Sequence, residues 1–192
     1  MESFDVVVLG AGAAGMMCAI EAGKRGRRVL VVDHAKAPGE KIRISGGGRC
    51  NFTNQNTTPQ NFLTSNPGFH ISALRRYRPA DFIAMVDRHG IAWHEKTLGQ
   101  LFCDGSARQI VDMLVTEMRR AGVTLRLQTT VGAVRKTDAG FEVELGGTPV
   151  ACGALVVASG GKSIPKMGAT GLGYEIAREF GLPLTPTRPA LV

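Results

Sequence analysis

The chain has 192 residues, 44% of them hydrophobic, which is enough for one domain with a packed core. No apolar run is long enough to span a bilayer, and strand-like sequence begins almost at once, leaving no room for a signal peptide. Its four cysteines show neither a CxxC pair nor metal-ligand spacing, so a reduced, cytoplasmic protein without a metal is expected.

In chain order, the first element predicted is a strand, Val6 to Leu9, apolar throughout and therefore buried on both faces. It runs into Gly10, Gly12 and Gly15, spaced G-x-G-x-x-G, and then into an apolar helix that ends near Gly26. A second strand, Arg28 to Val32, stops at Asp33. Each residue has a task in a nucleotide-binding turn. Gly10 permits the tight turn, Gly12 lets a pyrophosphate approach the backbone, and Gly15 lets helix and strand pack closely. Ala13 and Ala14 lie at the helix N-terminus, whose free N–H groups and dipole suit phosphate. Asp33 is placed to accept a ribose hydroxyl and disfavours a 2′-phosphate, so FAD or NAD fits better than NADP.

Residues 34 to 68 lack periodicity and are rich in Gly, Asn, Thr and Pro. A loop this long is commonly functional. It contains Lys41, Ser45, Gly47, Gly48, Arg49, Cys50 and Asn51, a set of donors, acceptors and close-approach positions. Helices are predicted from about Ile71, from Ala80 to His89, and from a Ser106 cap to Ala121. Short strands are predicted at Ala92 to Glu95, Gln100 to Phe102 and Val123 to Leu127. Val131 to Lys136, Phe141 to Leu145 and Pro149 to Cys152 read as an antiparallel meander. Ala154 to Ala158 reads as a further buried strand, followed by Ser159, Gly160 and Gly161. A second glycine run, Gly168 to Gly173, leads into a helix from Tyr174 to Phe180.

The run Ile44-Ser-Gly-Gly-Gly-Arg-Cys-Asn-Phe-Thr-Asn54, with the N-terminal fingerprint and the stretch from Ala158 to Gly173, resembles one flavoprotein family. This is the family of NAD(P)/FAD-dependent oxidoreductases that includes YhiN-like, BaiN-like and aminoacetone-oxidase-like proteins. The resemblance implies an α/β, three-layer Rossmann-like FAD-binding fold with a parallel core sheet and an antiparallel β-meander. It implies non-covalent FAD held by Gly10, Gly12, Gly15 and Asp33, with His34 beside the acid. The loop from Lys41 to Asn54 would lie along the pyrophosphate, Val131 at the adenine, and Ser159 to Gly161 at the turn after the returning strand. The second glycine run, with Thr170 and Gly171, is assigned to the flavin side. The family implies a longer chain, so residues 1 to 192 are expected to be one FAD-binding domain of a larger protein. In that case apolar surface is left exposed and the flavin ring half enclosed.

Beside these stand plainer readings. Cys50 next to Arg49 could be a thiol of lowered pKa near the flavin, but a packing role is the commoner one. His94 is either an acid/base group or a surface histidine. The cationic clusters Lys24, Arg25, Arg27, Arg28 and Arg75, Arg76, Arg78 are read as solvated surface without aromatic interleaving, so nucleic acid is not expected as a partner. The expected function is an FAD-dependent oxidoreductase acting on a small molecule, with NAD(P)H as reductant. Its rivals are a nucleic-acid-associated flavoprotein, such as an RNA-modification enzyme, and a non-catalytic flavin-binding fragment.

Overall fold

A computed structural model describes residues 1–64, 66–164 and 169–188. Gly168, the first residue of the second glycine run, lies outside the described residues. In chain order the elements are β1 (Glu2–Leu9), α1 (Ala13–Gly23), β2 (Val29–Val32), α2 (Glu40–Ile44), β3 (Asn51–Asn54), α3 (Ile71–Arg76), α4 (Pro79–Arg88), β4 (Trp93–Glu95), β5 (Gln100–Cys103), α5 (Ala107–Arg120), β6 (Thr124–Arg126), β7 (Val131–Thr137), β8 (Gly140–Leu145), β9 (Thr148–Val157) and α6 (Leu172–Glu179). They form two compact units: Met1–Glu40 with Glu117–Val192, and Lys41–Thr116.

The first unit is built on a six-stranded sheet of order β6-β2-β1-β9-β8-β7. β6, β2, β1 and β9 run parallel, and β9, β8 and β7 are antiparallel. All four residues of β2 are buried, as are Val7, Val8 and Leu9 of β1. β1 starts earlier than its apolar run because Glu2, Ser3 and Phe4 pair with Val150, Ala151 and Cys152 of the returning strand. Pro149–Cys152 and Ala154–Ala158, read separately from the sequence, form one ten-residue strand. Gly153 does not break it, because its neighbours keep register with β1: Cys152 with Phe4, and Ala154 with Val6. The far half of β9 is less buried than expected, with Val157 42% exposed. α1 packs on β1 and β2. Gly146 and Gly147, both with positive φ, make the two-residue turn between β8 and β9 that the glycine pair announces.

The second unit has a three-stranded antiparallel sheet, β3-β5-β4. Phe52 of β3 sits against Phe82 of α4 (centroids 6.1 Å apart) and Trp93 of β4 (6.4 Å). The stretch read as an irregular loop carries more structure than its sequence suggests: α2, a 3-10 turn at Ser45–Gly48, β3 and a second 3-10 turn at Pro59–Asn61. These pieces are too short to generate a period. At the start of α5, the Arg108 N–H donates to Ser106 Oγ (3.2 Å) and the Ser106 N–H to Gln109 Oε1 (3.1 Å). This is the reciprocal cap expected of Ser106. Ser106→Ala is expected to lower stability by about 1 kcal/mol, as a reduced urea midpoint at unchanged slope. Among the described residues no helix is long and apolar enough to cross a membrane.

Candidate cofactor site

Peptide hydrogen bonds align the C-terminal ends of the parallel strands of the first unit. The Gly10 N–H donates to Val32 O (2.8 Å), Ala158 N–H to Leu9 O (2.8 Å), Asp33 N–H to Arg126 O (3.0 Å) and Thr129 N–H to Asp33 O (3.0 Å). The chain leaves β1 towards β2 on one side and returns through β9 on the other. This is the switch point at which open α/β sheets bind ligands. A cleft of about 350 Å³ opens there, within the usual range for ligand sites. Its wall brings together Gly10, Asp33, His34, Val131, Ser159 and Thr170, six residues singled out from the sequence. Gly160, Gly161 and Gly171 are not part of that wall. Thr129, Thr130, Leu172 and Glu175 are, and sequence reasoning passed over them. Adjacency to Val131 is the one signal for the two threonines. Glu175 lies in the first turn of α6, which starts at Leu172, two residues before the expected Tyr174.

Two glycines of the turn are required by backbone geometry. Gly10 has φ +112°, and a Cβ there would lie 2.4 Å from Ala158 O. A Cβ on Gly15 would lie 1.9 Å from Gly10 O and 3.3 Å from Val8 Cγ1, so α1 can seat against β1 only with glycine at that position. At Gly12, by contrast, a Cβ would meet nothing within 4 Å, and no side chain caps the helix that starts at Ala13 and Ala14. The first N–H groups of α1 are left for an anion. Asp33 does more than await a ribose. Its Oδ2 accepts from the Ala11 N–H (2.7 Å) and its Oδ1 from the Ala35 N–H (2.9 Å), which ties the glycine turn to the end of β2. His34 Nδ1 lies 3.4 Å from Asp33 Oδ1.

The remaining candidates belong to the second unit. Lys41 is in α2, Ser45, Gly47 and Gly48 in the following 3-10 turn, and Asn51 in β3, with Arg49 and Cys50 between. A Cβ on Gly46 would lie 2.8 Å from the Phe102 ring and from Asn51 N, so part of the glycine run is used by the unit's own packing. Ser45 Oγ donates to Ile42 O (2.8 Å), and the Cys50 N–H to Ser45 O (3.0 Å). Of the two readings of Cys50, its burial fits the packing role rather than a thiol of lowered pKa. Burial raises it, and a hydrogen bond with Ser45 only partly opposes this. Cys103, too far along the chain to be considered a neighbour from sequence, is brought near. Its thiol is pushed up to about 11 by burial and then by the Cys50 charge. Both therefore stay as thiols through neutral pH, and the stability linked to Cys103 is lost as pH rises from about 9 towards 11. At pH 8, roughly one Cys103 thiol in a thousand is ionised. Iodoacetamide mapping is expected to label half-exposed Cys18 well before Cys50 or Cys103. His94 Nδ1 is 2.6 Å from Asp104 Oδ1, and both side chains are exposed.

The first unit fits an adenine dinucleotide. Its turn keeps open space at Gly12, its helix end is uncapped, and among the described residues Ser159 Oγ, buried in the cleft wall, has no hydrogen-bond partner. A buried hydroxyl without a partner is costly, and a ligand oxygen at this position would satisfy it. Residues 4–188 match the HI0933-like protein Rossmann domain. The chain belongs to this family. Over its whole length it is 56% identical to the ribosomal RNA dihydrouridine synthase of Escherichia coli (strain K12), covering 48% of that protein. Over 96% of its length it is 28% identical to the 3-dehydro-bile acid delta(4,6)-reductase of Clostridium scindens, covering 46% of it. Among solved structures, it resembles the open conformation of a flavocytochrome c3 fumarate reductase. There the TM-score is 0.64 at 22% identity, over 93% of this chain and 40% of that one. The chain thus spans about half the length of the curated relatives it matches. The match is to a Rossmann domain, the fold that the glycine turn led one to expect.

Proposed function

We propose that this chain is the FAD-binding part of a flavin-dependent reductase that saturates an activated carbon–carbon double bond, and that its substrate is a uridine of ribosomal RNA. The observation that supports the cofactor half of this reading is the cleft in which Gly10, Asp33, Val131 and the partnerless Ser159 hydroxyl converge. In this reading Gly12, Ala13, Ala14 and the α1 N-terminus take the pyrophosphate. Asp33 takes the adenosine ribose, Val131 the adenine edge, and Ser159 a further oxygen of the cofactor. Lys41, Ser45, Gly47, Gly48, Arg49, Cys50 and Asn51, with Gly160, Gly161 and Gly171, are assigned to FAD by resemblance alone. Bound FAD, once reduced, supplies the hydride equivalent. We take NAD(P)H as the reductant and the cytoplasm as the compartment, which the four free cysteines support. The substrate half rests on the E. coli relative. The bile-acid relative is also named for a double-bond reduction, and the fold alone would not choose between such substrates.

Two measurements test the two halves separately. The purified protein should show a flavin absorbance spectrum that shifts on denaturation; a protein that stays colourless after FAD is added contradicts the cofactor reading. Ribosomal RNA from cells lacking the protein should contain one uridine lighter by two hydrogens than its counterpart in normal cells. Unchanged RNA would remove the substrate reading and leave the cofactor reading standing.

A further inference from the structure

The charge of this chain is concentrated in one stretch. Residues 41–80 contain six Lys or Arg (Lys41, Arg43, Arg49, Arg75, Arg76 and Arg78) and no Asp or Glu. The other 152 residues therefore carry only +1 of the net +7. An ordinary solvated surface intersperses both signs. This stretch does not, and all of it lies in the second unit. Its later part also exposes apolar groups: Leu63 is fully exposed, Phe69 78% and Phe62 44%. Arg75 and Arg76 end α3 and are exposed. Tyr77, 38% exposed, stands between Arg76 and Arg78, so an aromatic residue does interleave this cluster. Arg78 is partly neutralised by Asp81 at 3.3 Å, while Arg75 and Arg76 have no acid within four residues along the chain.

Exposed rings beside guanidinium groups suit one kind of partner. The phosphates of a single-stranded nucleic acid pair with the arginines, and its unstacked bases lie on the rings. We propose that the surface around α3, formed by Phe69, Arg75, Arg76 and Tyr77, docks a single-stranded segment of RNA. This rests on the ribosomal RNA reading above and assigns the docking surface to residues of the second unit.

The test is fluorescence anisotropy of a labelled oligo-uridine against the wild-type chain across a salt series. It is repeated with R75E/R76E, with F69A, and with the charge-matched R27E/R28E in the first cationic cluster. Circular dichroism and melting confirm that each variant is folded. Wild type is expected to bind at low salt. R75E/R76E should bind at least tenfold more weakly, with a log–log salt slope shallower by about 1.4, since a single strand loses about 0.7 per phosphate contact. F69A should bind several-fold more weakly at an unchanged slope, and R27E/R28E should bind as wild type. Equal weakening by both charge reversals would overturn the α3 surface in favour of diffuse attraction. Binding of the same residues to phosphatidylserine vesicles, with oligo-uridine ignored, would overturn it in favour of a membrane surface. Failure of the wild type to bind oligo-uridine while retaining flavin would overturn the RNA reading itself and spare the cofactor.

Discussion

Gly10→Val is expected to give a protein that is colourless and markedly less stable. The residue sits at φ +112°, where a β-branched side chain is strained, and its Cβ would be 2.4 Å from Ala158 O and 2.7 Å from Ala158 C. Strained backbone and overpacking each cost about 1–3 kcal/mol, so a loss of about 3–5 kcal/mol is expected. That is a large share of the stability of an ordinary domain. The obstacle is backbone, and relief requires β9 to move away from β1. That movement would open the hydrogen bond from the Ala158 N–H to Leu9 O and shift Ser159 in the cleft wall. Urea unfolding measures the first effect and flavin content the second. Gly12→Ala separates them. Its Cβ meets no protein atom within 4 Å, so stability should hold while flavin content falls. A Gly12→Ala protein with full flavin would show that the open space at the turn is not where the pyrophosphate lies.

Asp33→Ala is the second change with a large expected effect. The carboxylate accepts from the Ala11 N–H at 2.7 Å and the Ala35 N–H at 2.9 Å, so its removal leaves two backbone donors without their partner. Hydrogen bonds to a charged group are worth about 1.5–3 kcal/mol each, less where water can replace the partner. The glycine turn is then no longer tied to β2, and the ribose loses its acceptor as well. FAD affinity is expected to fall by about a hundredfold, or about 2.7 kcal/mol, measured by flavin fluorescence on titration. Asp33→Asn should fall between, because an amide oxygen can accept only part of what two carboxylate oxygens do. Wild-type affinity in Asp33→Ala would mean that the acid serves only the turn.

Much of the first unit was legible in the sequence because it is governed by local rules. An apolar run becomes a strand buried on both faces, a G-x-G-x-x-G turn becomes the strand-to-helix junction, and Gly146-Gly147 closes a hairpin. Gly10, Gly15 and Asp33 could be named because their tasks depend on backbone within one β-α-β segment. The interleaved segment Arg75-Arg76-Tyr77-Arg78 was equally readable. The acid-free stretch around it is a property of composition alone.

What only the tertiary structure decided involves partners distant along the chain. Ser159 follows β9, which returns beside β1 across about 150 positions of chain, and among the described residues its buried hydroxyl has no hydrogen-bond partner. Thr129 and Thr130 enter the cleft from the connection between β6 and β7, and Glu175 from α6, and the spacing of neither carries a sign of a ligand. Cys50 has its pKa raised because burial outweighs its hydrogen bond with Ser45, and burial depends on what the rest of the chain packs around it. Residue spacing shows what a segment does to its own backbone. Desolvation and hydrogen-bond satisfaction depend on what the rest of the chain places against it, and those two quantities decided the site.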